Sequence, residues 1–72
     1  MNAPITVIAK NAAEEIRVVW GEYRGQRLLN VRIFADLPKC DERMPTRKGI
    51  TLANQEQVDA LIVGLQAVRG DF

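Results

Sequence analysis

Apolar and polar positions alternate through the front of the chain, and the period then changes to that of a helix. Ile5-Thr6-Val7-Ile8-Ala9 is a short β-branched run ending at Lys10-Asn11, and it predicts a first strand. Asn11 to Glu15 reads as a turn. Ile16 to Tyr23 predicts a second strand, closed by Arg24-Gly25-Gln26, and Arg27 to Ala35 a third with clear alternation. Gly25 between these two runs points to a tight hairpin. Asp36 to Pro45, with two prolines and mixed charges, reads as a longer loop, and Arg47 to Leu52 as a fourth strand. Asn54 then offers a helix cap, with Gln57 three residues later to reach back. Val58, Leu61, Ile62, Leu65 and Val68 follow at helical spacing as one apolar stripe, and Gly70 lies where a C-terminal cap belongs. The order is therefore β-β-β-β-α, an α+β fold: a four-stranded antiparallel meander with one C-terminal helix covering one face.

Alternation also assigns the faces of that sheet. Leu29, Val31 and Ile33 point towards the helix, as do Ile16, Val18, Ile50 and Leu52. The opposite parity holds Arg17, Tyr23, Arg32, Phe34 and Arg47. Cations interleaved with aromatics on an open sheet suit a single-stranded nucleic acid, because guanidiniums meet phosphates and rings stack on bases. Trp20 is open to two readings. Strict alternation puts it in the core, whereas a bulge at Gly21 would swing it onto the face of Tyr23.

Composition narrows the picture. The chain has 72 residues, read as one domain spanning 1–72, and a domain of that size buries only about 60% of its unfolded surface. Cys40 is the only cysteine and there is no histidine, which leaves neither a disulfide nor a zinc site to staple it. Oligomerisation is the remaining staple, so a homodimer is expected, with Val58, Leu61, Ile62, Leu65 and Val68 as its interface. The net charge of +1 says nothing about partners, but its distribution does. From Arg17 to Lys48 there are eight cations against four anions, whereas the last nineteen residues hold Glu56, Asp59 and Asp71 against Arg69. No apolar run approaches the ~20 residues that span a bilayer, and no signal peptide is visible, so a cytoplasmic setting without a membrane partner is expected.

The stretch Arg43-Met44-Pro45-Thr46-Arg47-Lys48-Gly49-Ile50-Thr51-Leu52 joins these observations. Two adjacent cations and a glycine run into a strand and then a helix start, and glycine suits a backbone that must come close to an anion. Together with Gly25 and Leu29-Asn30-Val31-Arg32-Ile33-Phe34, this stretch resembles the transcriptional coactivator family of positive cofactor four. The likeness covers about residues 15 to 69, and its most specific part is Pro-x-Arg-Lys-Gly-Ile-Thr-Leu before the helix. The resemblance implies a strongly curved sheet, homodimers formed through the helix and adjoining strand surface, and binding of single-stranded DNA or melted duplex without much sequence preference. By position it implies phosphate contacts for Arg47, Lys48 and Gly49, a basic contact for Arg32 and base stacking for Tyr23. Ala35 stands where some members have a tryptophan, Gln26 and Gly21 where they have cations, and Met44 where they have a lysine. Arg43, one residue earlier, is the candidate compensating cation. The Ser- and Lys-rich tail of nuclear members is missing ahead of the domain, which favours a minimal bacterial or viral version, nucleoid-associated, or nuclear in a eukaryote.

Other signals carry less. Glu14-Glu15 and Asp41-Glu42 read as solvated turn residues, and Cys40 has no histidine to activate it. No catalytic residue, cofactor or metal is expected, and so no enzyme. The expected function is single-stranded DNA binding in transcription, replication or repair. Two alternatives keep the fold: a protein-interaction module that contacts a polymerase or replication protein, and a single-stranded RNA binder.

Overall fold

The computed structural model describes residues 3–72. It contains β1 (Thr6–Ala9), β2 (Glu14–Tyr23), β3 (Gln26–Ala35), β4 (Met44–Leu52), α1 (Gln55–Val68) and a terminal 3-10 turn (Arg69–Asp71). The strands form one antiparallel sheet in the order β1-β2-β3-β4, the expected meander.

Local chemistry explains most of these elements. The β2–β3 hairpin turns on two residues, with φ of 52° at Arg24 and 77° at Gly25. Positive φ at both central positions is the turn geometry whose twist matches that of the flanking strands. Asn54 caps α1 by accepting the Gln57 N–H at 2.9 Å, and Gln57 Oε1 accepts the Ala53 N–H at 2.7 Å. The helix does not end on Gly70 as expected. It runs through Arg69, in the right-handed helical region, into the 3-10 turn.

Two strands start two or more residues earlier than their sequence patterns indicate. The turn before β2 is closed within Lys10 to Ala13, where the Ala13 N–H meets Asn11 Oδ1 at 3.0 Å, so Glu14 and Glu15 already lie in the strand. β4 begins at Met44 rather than Arg47, because Pro45 pairs with Phe34 on one side of a bulge and Gly49 with Arg32 on the other. Proline is tolerated there because β4 is an edge strand.

The larger correction concerns α1. It was expected to cover Leu29, Val31 and Ile33, yet it stands off the sheet and buries none of its own residues. Only Ala53 and Asn54 separate β4 from α1, and the helix is launched past the strand end instead of folding back. Val58, in its second turn, borders a groove of about 620 Å³ with Val18, Trp20, Leu29 and Leu52. The result is an open molecule. Its radius of gyration is 13.6 Å, against about 11 Å for a compact domain of this length. Among the described residues only Val19 (9% exposed) and Phe34 (5%) are buried, while Ile8, Trp20, Ile50, Ile62, Leu65 and Val68 remain exposed.

Candidate nucleic-acid interface

Strand register assembles one face from Glu15, Arg17, Val19, Gly21 and Tyr23 on β2 with Phe34, Arg32, Asn30 and Leu28 on β3. Gly49 and Thr51 of β4 stand beside Arg32 and Asn30. This is the face that alternation marked as open, and Arg17, Tyr23, Arg32 and Phe34 do share it.

Their surroundings differ from the expectation of a simple row of exposed cations and rings. Phe34 is 5% exposed, and the Arg17 guanidinium carbon sits 4.3 Å from its ring centroid. It is the floor beneath Arg17 and not an open stacking platform. Arg17 in turn donates its Nε–H to Glu15, which also accepts from Arg43 Nη1 at 2.6 Å. Arg32 reaches across β4, donating to the Thr46 carbonyl and to Thr51 Oγ1, each at 3.1 Å. Arg43, expected to compensate for a missing lysine, is committed elsewhere: to Glu15, to Asp36 at 3.2 Å and to the Ala12 carbonyl at 2.8 Å. It ties the start of β4 to the start of β2.

Glu14 and Glu15 are not the solvated turn residues the sequence indicated, whereas Asp41 and Glu42 are exposed in the loop as expected. The Arg17 and Arg43 hydrogen bonds hold the Glu15 carboxyl below its ordinary value, and the bonds to Glu15 and Asp36 hold the Arg43 guanidinium charged even more firmly than usual. Glu14 is lowered by Asn11 and Lys10, which bond it at 2.9 and 3.1 Å. A carboxylate lowered in the folded state contributes stability that is fully present above its ordinary pKa of 4.5 and is lost as pH falls through the lowered value. Thermal melts should therefore show the wild-type midpoint dropping below about pH 4.5, and a Glu15→Gln variant dropping less over the same range. Parallel pH profiles would remove Glu15 from this account.

Tyr23, Arg47 and Lys48 keep free surface. Tyr23 is 61% exposed at the hairpin tip, with Arg24 5.2 Å from its ring centroid. Arg47 and Lys48 are exposed, and no carboxylate lies within ion-pair distance of either among the described residues. Lys48 borders a shallow groove with Ile16, Ile33 and Ile50. Thr46 braces the bulge that presents both cations. Its Oγ1 donates to the Ile33 carbonyl at 2.9 Å and accepts the Lys48 N–H at 3.2 Å. The same bulge by itself requires glycine at position 49. A Cβ there would stand 2.5 Å from the Val31 carbonyl oxygen and 2.6 Å from Arg32 Cα.

Trp20 keeps the parity of the apolar face, and pairing continues through Gly21 and Leu28 without a bulge. It is nonetheless 39% exposed, with Arg27 stacked 3.9 Å from its ring centroid. Arg24 and Arg27 were missed as candidates. Their place in the turn and on the strand beside Trp20 was the signal that could have found them.

The family model described as Transcriptional Coactivator p15 (PC4) matches residues 10–63. The chain belongs to the PC4 family. It is also similar to a PC4 homologue from Burkholderia pseudomallei K96243, with 29% identity and a TM-score of 0.80 in both an orthorhombic and a tetragonal crystal form. The orthorhombic match covers 94% of this chain and 89% of the other, the tetragonal one 96% and 98%. No curated protein matches the chain. The four-stranded sheet and C-terminal helix are thus the PC4 fold. The match takes in β2, the hairpin, the β4 bulge and the first part of α1, so every candidate residue of the basic face lies within it. Among the described residues no helix is long and apolar enough to cross a membrane, and no group of three or more histidine, cysteine or acidic side chains is placed to hold a metal ion.

Proposed function

We propose that this PC4-family chain is a general single-stranded DNA-binding protein without enzymatic activity, serving transcription, replication or repair as a homodimer. The observation that carries this reading is the pair Arg47 and Lys48, exposed and without ion-pair partners among the described residues, on a braced bulge of the same sheet as the exposed ring of Tyr23. Guanidinium and ammonium groups that no carboxylate occupies are available to phosphates. A ring at a hairpin tip can stack on an unpaired base, worth about 1–3 kcal/mol, but has no access to one inside a duplex. Arg17 and Arg32 add positive potential and hold the face rigid, while their hydrogen bonds keep them turned to the protein.

The homodimer rests on what one chain leaves uncovered. Of the stripe, Val58 borders the end of the sheet, whereas Leu61, Ile62, Leu65 and Val68 have no sheet beneath them, and Ile8 and Ile50 are exposed on the apolar face away from the helix. Two buried residues among those described make no core, so a second copy supplies the missing cover.

Binding to a ~20-nucleotide single strand should weaken with salt along a log–log slope near −3, as expected for about 4 neutralised phosphates. A slope near zero would rule out phosphate contacts as the basis of binding.

A further inference from the structure

The centre of the basic face holds a concave site of about 200 Å³ lined by Arg17, Val19, Trp20, Asn30, Arg32, Phe34 and Pro45. Its chemistry is one-sided. The polar side chains are two guanidiniums and an amide, the other four are apolar or aromatic, and no carboxylate lines it.

The amide orientation follows from a hydrogen-bond relay. Arg32 has only donors, so at 3.1 Å it must donate to Thr51 Oγ1. The Thr51 hydroxyl directs its own proton to Asn30 Oδ1, 2.9 Å away. The Asn30 NH2 therefore faces the other way. It lies over Gly21, 2.6 Å from where a Cβ would stand, and has no acceptor among the described residues. Glycine at position 21 leaves that space open.

We propose that this groove is a nucleobase subsite in which Asn30 is a specificity-determining donor, and that it favours thymine. The proposal rests on the single-strand reading above. A base entering the groove lies between the two guanidiniums, beside Val19 and Pro45, and meets the Asn30 NH2. Thymine carries two carbonyls and no exocyclic amine. Cytosine brings an amine for which the lining side chains hold no free acceptor, since Asn30 Oδ1 is engaged by Thr51. A polar group left unpaired on binding is what discriminates between otherwise similar ligands. Phosphate contacts thus hold any strand, and this groove adds a base preference to them.

The test compares dT20 with dC20 by fluorescence anisotropy, because both are weakly self-stacking pyrimidine strands. Wild type should bind dT20 about tenfold more tightly, the size of effect expected of one good base contact. Asn30→Leu, which removes the donor, should bring the ratio to about one. Gly21→Ala, which leaves Asn30 in place but crowds its NH2, should also lower the ratio and serves if Asn30→Leu fails to fold. Equal binding of the two strands by wild type, or a preference that survives both substitutions, would overturn the subsite while leaving general single-strand binding intact. Failure of wild type to bind either strand would overturn both readings together.

Discussion

Replacing Arg47 and Lys48 together with alanine should weaken single-strand binding roughly 30-fold or more at low salt, the combined loss of two charge-assisted phosphate contacts. The salt slope should fall at the same time, from near −3 to about −1.5, because two fewer counterions are released. These two cations are singled out because the other candidates on the sheet are already engaged. Arg17 is held by Glu15 and Phe34, Arg32 by Thr46 and Thr51, and Arg43 by Glu15, Asp36 and Ala12. Alanine at positions 47 and 48 should leave the fold alone. The bulge is braced by the Thr46 hydroxyl and by backbone groups, none of which is removed. Anisotropy titrations at several salt concentrations check both numbers, and an unchanged affinity or slope would clear these residues of any role.

Leu65→Asp is the second large effect expected, and it acts on the assembly. Leu65 is 57% exposed in one chain and sits mid-stripe between Ile62 and Val68. If the stripe is covered by a second copy, the substitution places an unpaired carboxylate from each chain in an apolar interface. A penalty of about 3–5 kcal/mol per buried unpaired charge is comparable to the whole stability of a small domain. The variant should lose the dimer in sedimentation and melt far below wild type. Gln66→Asp, one position along the same helix and off the stripe, should stay within about 0.5 kcal/mol of wild type. A Leu65→Asp variant that melts like wild type and sediments unchanged would show that the stripe is not an interface.

How far the sequence carried the structure can be read from particular residues. The Arg24-Gly25 turn, the Asn54 cap and the two parities of β2 and β3 were legible, because each depends on neighbours within a few positions. What depends on distant partners was not. Pro45 reads as a loop residue until Phe34 is seen beside it, and the bulge that needs Gly49 is set by Val31 and Arg32 on another strand. Glu15 looked like a turn carboxylate, and only the fold brings Arg43 to it. The exposure of Phe34 could not be read from parity, since alternation gives a face but not what lies on top of it. The same limit applies to α1: an apolar stripe does not say what lies against it, and its own sheet does not bury it. Of the candidate contacts, Tyr23, Arg47 and Lys48 have the exposure that the sequence reading required of them.

The central claim is that this face takes an unpaired strand, and one titration tests it most directly. A dye-labelled ~20-nucleotide single strand and the matching duplex are each followed by anisotropy at low and moderate salt. Tighter, salt-sensitive binding to the single strand is the predicted result, because only an unpaired base is free to stack on Tyr23 while Arg47, with Lys48 beside it on the β4 edge, holds the phosphates. Equal binding to both forms, or none to either at low salt, would contradict it.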